Sequence, residues 1–264
     1  MIDLHSHILP GIDDGAADLE ESLRLARGYA AAGFLLVVAT PHARSGECSP
    51  RFAQTVVDGV DRLNRELEKQ AIDIRVLPGM EVEMDGRLPA HIADGSVIPL
   101  AGKNHLLVET PFLRMPLAWH NIVFDLAAVG ITVVFAHPER CDQLAETPQL
   151  MEEMAASGAC LQVNWDSFTG AHGRQARHTA RRMARKGLIH CLATDSHDAV
   201  HRHPGGVAEI KDQVADLVGW ENLERISRYN PLQVINGLPM QAPDSATIPL
   251  HVRKKWPWWR RWLP

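Results

Sequence analysis

The sequence predicts a mixed α/β fold: a distorted, seven-stranded β/α barrel of the TIM-barrel type. Three observations carry that expectation. Short apolar runs alternate with helical segments down most of the chain, seven such runs can be counted, and every one except the sixth ends in, or is followed by, His, Asp or Glu. Strands separated by helices favour a parallel sheet with helices outside, and this many in one chain favour a closed or nearly closed barrel over an open sheet.

The first strand is read at 2–5, followed by a helix at 19–32 in which Asp18 caps, Glu21 completes a capping-box spacing and Gly33 ends the helix. FLLVVAT at 34–40, a helix near 51–70 and IRVLPGME at 74–81 come next. The fourth strand is LLVET at 106–110, and an amphipathic helix near 117–129 ends at Gly130. ITVVFAH at 131–137, a helix near 148–157, CLQVNW at 160–165, a helix near 173–186 and LIHCLAT at 188–194 complete the series. The link PAHIADGSVIPLAGKN shows no helical period, which is why the barrel is expected to be distorted.

At 264 residues, 45% hydrophobic and 22% charged, the chain reads as one large soluble domain over 1–245 with a separate tail at 246–264. FLLVVA is too short an apolar run to span a membrane, and Asp3 and His5 stand where a secretory signal would be basic and then apolar, so a cytoplasmic protein is expected. Cys48, Cys141, Cys160 and Cys191 form no CxxC pair and read as buried or idle thiols. Gln54, Thr147, Asp166 and His197 occupy the positions where a cysteine-dependent phosphatase would carry its arginine, so that chemistry is excluded. The net charge is −5, but Arg253, Lys254, Lys255, Arg260 and Arg261 crowd a tail without acids, leaving −10 for the body. An acidic body argues against a nucleic-acid-binding surface.

The polar residues follow the strands. His5 and His7 close the first, His42 follows the second, Glu81 ends the third, Glu109 the fourth, His137 the fifth, and Asp195 with His197 the seventh. Each alone is an ordinary solvated or hydrogen-bonded residue, but in a parallel barrel all these ends share the face that carries active sites. Asp13 and Asp14 are adjacent, and Glu83 follows Glu81 by two positions, so spacing leaves either member of each pair eligible. Nitrogen and oxygen donors of this kind suit Mn²⁺, Fe or Zn²⁺, and they are too many for one ion and enough for two or three. Carboxylates packed in one cleft repel unless cations neutralise them; several ions together acidify a bridging water and clamp an in-line displacement at phosphorus. Arg140 in HPER and Arg202 in DSHDAVHR can lean over such ions, and guanidinium forks match phosphate oxygens. Asp198, His201 and His203 stay ambiguous, with one of Asp198 or His201 read either as a solvated loop residue or as the proton donor to the leaving group.

The segments DLHSHILPGIDDG, TPH, PGMEVE, VETPF, HPER and TDSH, in order over roughly residues 1–237, resemble the polymerase and histidinol phosphatase superfamily, and within it the capsule-locus tyrosine-protein phosphatases. That resemblance implies the distorted barrel of that superfamily and a site of two or three divalent ions, manganese first and iron or zinc as alternatives. The ligands it implies are His5, His7, Asp14, His42, Glu81, Glu109, His137, Asp195 and His197, with Asp14 preferred over Asp13 and Glu81 over Glu83. It gives Arg140 and Arg202 the phosphate. Gln162 and Asn164, on the strand without a ligand, are read either as supporting donors or as structural hydrogen bonds.

The implied reaction is hydrolysis of phosphotyrosine by a metal-bridging hydroxide. Its implied substrate is the C-terminal tail of a membrane-associated bacterial tyrosine autokinase that controls capsule or exopolysaccharide assembly. A phenol leaving group, with pKa about 10, departs more readily than an alkoxide and demands less of a general acid. Two alternatives stand beside this: a small-molecule phosphatase such as histidinol phosphatase, and a non-catalytic metal-binding protein that docks on a kinase. The chain departs from the family pattern in the extra histidines of AVHRHP and in the tail HVRKKWPWWRRWLP. Its Trp256, Trp258, Trp259 and Trp262, set among basic residues over 251–264, fit either peripheral contact with an anionic membrane or a tail that is disordered or folded on the barrel.

Overall fold

In a computed structural model the described residues are 1–243. The tail at 246–264, with its tryptophans and its expected membrane contact, lies outside them. The chain runs β1 (Ile2–Ser6), α1 (Leu19–Ala31), β2 (Leu36–Ala39), β3 (His42–Ala43), α2 (Pro50–Lys69), β4 (Arg75–Pro78), β5 (Glu81–Val82), α3 (Leu88–Ala93) and β6 (His105–Glu109). It continues through α4 (Trp119–Ala128), β7 (Thr132–Ala136), α5 (Asp142–Glu146), α6 (Gln149–Ala156), β8 (Cys160–Asn164), α7 (Gly173–Lys186) and β9 (Cys191–Ala193). Three helices end it: α8 (Val207–Val218), α9 (Trp220–Glu224) and, after a π-helical turn at Arg225–Tyr229, α10 (Asn230–Ile235).

All strand pairs are parallel, as expected, but the closed seven-stranded barrel is not what forms. The described residues make nine strands in two sheets, ordered β1-β2-β4 and β3-β5-β6-β7-β8-β9. The second expected strand, 34–40, is matched by β2 and followed by the additional short strand β3, and the third, 74–81, is broken into β4 and β5. Between β2 and β3 stands Pro41, which has no N–H to donate to a ladder. Between β4 and β5 the chain turns at Gly79, where an added Cβ would lie 2.8 Å from Val38 Cγ1, so only glycine tolerates the approach. The remaining seam, between β1 and β9, is stitched at its C-terminal end by an isolated bridge, Ser6 to Ser196, and by Asp195 N–H donating to His5 O at 3.0 Å.

The helices follow their sequence signals closely. Asp18 Oδ1 accepts from Glu21 N–H at 2.9 Å, while Glu21 Oε2 reaches Ala17 N–H, one residue before the cap, at 3.0 Å. On α2, Ser49 caps Phe52 N–H, and Val56, Val60, Leu63 and Leu67 recur at helical spacing on the buried face. The aperiodic link before β6 holds the short α3 and a single 3-10 turn at Leu100–Gly102, and α5 and the helices after β9 are additional to the expected series.

The larger apolar core lies between helices and strands; a smaller one, including Leu4, Val38, Leu107, Val134 and Cys191, is shared by strands of both sheets. In β1 the pairing with β2 slips between Asp3 and Ser6. Strict alternation would put Asp3 and His5 on one face; the bulge re-aims them. Asp3, fully buried, accepts from Thr194 Oγ1 at 2.5 Å and from Thr194 N–H at 3.2 Å, and Thr194 Oγ1 also meets Tyr29 Oη at 2.7 Å. This carboxylate ties β1 to the chain just beyond β9 and holds His5 and Asp195 side by side. Replacing Asp3 with Ala strands buried donors of Thr194 and His5 and is expected to cost about 2–4 kcal/mol, read by urea unfolding. A loss below about 0.5 kcal/mol would show that the seam does not need it.

Candidate metal centre

His5 and His7 leave β1 pointing into the mouth, and the turn that follows folds back over them. Asp13 Oδ2 accepts from His7 Nδ1 at 2.6 Å and from His42 N–H at 3.0 Å, and Ala16 N–H donates to His7 O at 3.0 Å. A Cβ on Gly15 would fall 2.2 Å from His7 O and 2.4 Å from His7 Cβ, so the turn wraps His7 only because residue 15 is glycine.

A second chain of hydrogen bonds comes from β8. Gln162 Oε1 accepts from His5 Nδ1 at 2.9 Å, Gln162 Nε2 donates to Asn164 Oδ1 at 2.8 Å, and Asn164 Nδ2 donates to Asp195 Oδ2 at 2.9 Å. The chain ends on a carboxylate, which can only accept, and this fixes both amide orientations and puts the His5 proton on Nδ1. His197 Nδ1 likewise donates to Asp195 O at 3.0 Å.

With Nδ1–H committed on His5, His7 and His197, their Nε2 lone pairs face inward. His5 Nε2 and His7 Nε2 are 3.2 Å apart. Glu81 Oε2 lies 3.2 and 3.4 Å from them, and Asp195 Oδ1 3.3 and 3.4 Å. Glu81 Oε2 also has His42 Nδ1 at 3.1 Å, yet it is buried and makes a hydrogen bond to none of these nitrogens. His137 donates Nε2–H to Glu81 Oε1 at 3.0 Å and leaves Nδ1 buried without a hydrogen-bond partner among the described residues. With neutral rings these are acceptors facing acceptors, which either a second ring proton or a cation resolves, so the donor set fits metal ions.

Four overlapping groups have ligand atoms within 4.8 Å of one another: His7, Asp14, His42 and His197; His5, His7 and Glu81; His5, His137 and Asp195; His42, Glu81 and Glu109. All nine residues implied by the resemblance fall in these groups. Asp14, exposed on its turn, approaches His42 Nε2 at 3.6 Å and His197 Nε2 at 3.5 Å, while Asp13 orients His7 from behind. Glu83 lies at the rim, its Oε2 accepting from Ser45 N–H at 3.0 Å. Asp198 caps its own loop by accepting from Val200 and His201 N–H, His201 is exposed, and His203 Nδ1 accepts from Gly205 N–H; none of the three lines the cleft.

His137 and Asp195 have left-handed backbones, φ 36° and 52°, a conformation that costs a non-glycine residue about 1–2 kcal/mol. Burial works against the imidazolium of His5, His7 and His42. The surrounding carboxylates, Glu81 and Asp195 for His5, Asp13 for His7 and Glu81 for His42, outweigh it and hold all three above the ordinary histidine value. Burial and the charge of His7 push His197 down to about 4. Burial alone would raise Asp13, but its bonds to His7 and to backbone N–H groups bring it to about 2. Burial and the neighbouring Glu81 raise Glu109.

Over the group opens a cleft of about 460 Å³. Arg140 Nη1 and Arg202 Nη2 both donate to Asp195 Oδ2, at 3.0 and 2.7 Å, and both remain partly exposed at the rim. The cleft is also lined by Arg44 and Phe112, which the sequence reading did not single out. Arg44 follows His42 by two residues and Phe112 follows Glu109 by three, so nearness to a strand end was the available signal.

Residues 1–236 match the family described as capsular polysaccharide synthesis, CpsB/CapC. The chain is 34% identical over 203 residues to the tyrosine-protein phosphatase YwqE of Bacillus subtilis, covering 77% of this chain and 80% of that protein. It is 28% identical over 213 residues to the tyrosine-protein phosphatase CpsB of Streptococcus agalactiae serotype III, covering 77% and 86%. Among solved structures it superposes with a TM-score of 0.85 and 31% identity, over 92% of this chain and 98% of the other, on a chain from the crystal structures of YwqE from Bacillus subtilis and CpsB from Streptococcus pneumoniae, described as unique metal-dependent tyrosine phosphatases.

Two outcomes follow for metal binding. Asp13→Ala removes no ligand of the four groups but frees the His7 ring, and is expected to weaken manganese affinity about 10–100-fold by calorimetric titration. Unchanged affinity would mean that Asp13 does not orient His7. Protons on His5, His7 and His42 compete with a cation. Because these groups sit above the ordinary value of about 6.5, affinity is expected to keep climbing as pH rises past it, with proton release that scales with buffer ionisation enthalpy. A pH-independent affinity would contradict this.

Proposed function

This chain belongs to the capsular polysaccharide synthesis CpsB/CapC family, and from that premise we propose that it is a metal-dependent protein-tyrosine phosphatase whose substrate is a phosphotyrosine protein. The observation that carries the reading is the convergence of inward-facing imidazole nitrogens and carboxylate oxygens directly beneath two arginines in one open cleft. His5, His7, Asp14, His42, Glu81, Glu109, His137, Asp195 and His197 would hold two or three divalent ions, manganese first. Bound there, such ions supply Lewis-acid polarisation of the phosphoryl group and a water acidified to near-neutral pKa.

The chain's own residues do the rest. Arg140 and Arg202 each spend one N–H on Asp195 Oδ2 and keep further donors free for the non-bridging phosphoryl oxygens. Their shared anchor sets the spacing of the two guanidiniums before substrate arrives, so little reorganisation accompanies the growth of charge in the transition state. No strong general acid is required of the cleft, because tyrosine leaves as a phenol.

The finer reading of the substrate is a tyrosine autokinase of capsule or exopolysaccharide assembly, with its phosphorylated C-terminal tail reaching the cleft in the cytoplasm. The family description supports it. Among the described residues no helix is long and apolar enough to cross a membrane. Contact with a membrane through 251–264 belongs to the same proposal and rests on composition alone.

Arg140→Ala is expected to lower kcat/KM on a phosphotyrosine peptide about 10²-fold or more with metal content retained. His42→Ala is expected to lower metal content as well, and chelation to abolish turnover until manganese is restored. Turnover of histidinol phosphate far above that of the peptide would replace the protein-phosphatase reading, and activity indifferent to chelator would end it.

A further inference from the structure

Among the described residues lining the cleft, Phe112 is the single apolar one. Its ring lies under the Arg140 guanidinium, with Cζ 4.7 Å from the centroid, and against the His137 ring at 5.8 Å and 21°. Even so, Phe112 is 48% exposed and its neighbour Leu113 71%. Leaving an apolar pair this open beside a charged cleft gains nothing from burial within the chain.

Looseness does not account for the exposure, because the segment is fastened. Phe112 O accepts from Asp142 N–H at 2.7 Å, Leu113 O from Gln143 N–H at 3.1 Å, and Gln143 Oε1 from Met115 N–H at 2.9 Å. The loop after Glu109 is therefore clamped to the segment that follows His137 and Arg140, and its apolar side chains are held in a set position relative to the arginines. Past Phe112 the cleft continues into a second hollow of about 720 Å³, lined by Pro111, Leu113, Arg114 and Gln143 among others.

We propose that Phe112 is a specificity-determining residue for aryl phosphates: it receives the phenol ring of phosphotyrosine while Arg140, resting on the same side chain, receives the phosphoryl group, and Leu113 takes up an apolar side chain adjoining the phosphotyrosine. The proposal rests on the phosphatase reading above. Aromatic rings meet edge-to-face or offset, and an exposed edge beside a guanidinium offers that contact only to an ester that carries a ring. A phosphoserine side chain is too short to bring carbon against Phe112 and offers no ring. On the opposite side, Asp14 and Arg44 border a further hollow of about 430 Å³ where Ile12 and Phe52 are the apolar side chains, but neither of them lines the cleft itself.

The test uses the manganese-loaded full chain and two peptides identical except for phosphotyrosine or phosphoserine, with an apolar residue beside it. Phe112→Ala is expected to lower the tyrosine-to-serine ratio of kcat/KM about tenfold, chiefly through KM on the tyrosine peptide, and Phe112→Trp to keep the ratio within about twofold. Phe112→Leu keeps packing beneath Arg140 without an aromatic ring and is expected to lose the ratio as Ala does; metal analysis and unfolding curves accompany each variant. Equal fractional loss on both peptides would make Phe112 only a prop for Arg140 and overturn the proposal, as would an unmoved ratio. Wild-type protein inactive on both peptides would overturn the phosphatase reading, and this proposal with it.

Discussion

Lone pairs aimed at lone pairs are the constraint around which this molecule is arranged. Two imidazole nitrogens each lie within 3.4 Å of two carboxylate oxygens at the buried floor of the cleft, and with Nδ1–H committed elsewhere only a second ring proton or a cation reconciles them. A polypeptide does not hold such groups together for its own stability, because buried charge without a partner is costly. The surrounding structure is correspondingly over-determined: a bulge turns His5 inward, a glycine-dependent turn locks His7, an amide relay from β8 fixes a tautomer, and left-handed backbone sets His137 and Asp195. Each device has a cost of its own, and together they concentrate strain where cations relieve it.

Asp195 links this floor to the rim. One oxygen faces His5, His7 and His197, and the other accepts from Arg140, Arg202 and Asn164. The same carboxylate therefore belongs to the ligand groups and spaces the arginines. Its backbone N–H, bonded to His5 O, closes the gap between β1 and β9. The open seam is thus held at the end that matters for the site, and Asp3 secures the adjoining residues from beneath.

Much of this was legible in the sequence, for identifiable reasons. Parallel strands put their C-terminal ends on one face, so a His or Glu closing each apolar run announces its own place, and α1 and α2 follow their caps and apolar spacing. What escaped the reading depends on contacts between distant residues. The additional strand past Pro41 and the break at Gly79, which turn seven expected strands into nine in two sheets, depend in part on how closely Gly79 approaches Val38. Asp13 and Asp14 are adjacent, yet one stands behind His7 and the other before His42 and His197, a distinction made by a turn whose geometry rests on Gly15. The helix α8 was readable, since Val207, Ile210, Val214 and Leu217 recur at helical spacing. Phe112 was not, since an isolated aromatic after a strand carries no period.

Charge balance finally ties cation binding to substrate binding. Asp14, Glu81, Glu109 and Asp195 bring four negative charges to the mouth against the two of Arg140 and Arg202, and Asp13 and the rim pair Glu83 and Arg44 do not reverse that sign. Without cations, that excess is offset only by protons that the carboxylates hold on His5, His7 and His42, and an ion that binds these rings displaces them. With those protons displaced, a single divalent ion brings the mouth near neutrality and a second makes it positive. Under the proposed function, the affinity of the arginines for a phosphate ester is therefore expected to rise with the ions below, which would couple assembly of the metal floor to substrate binding.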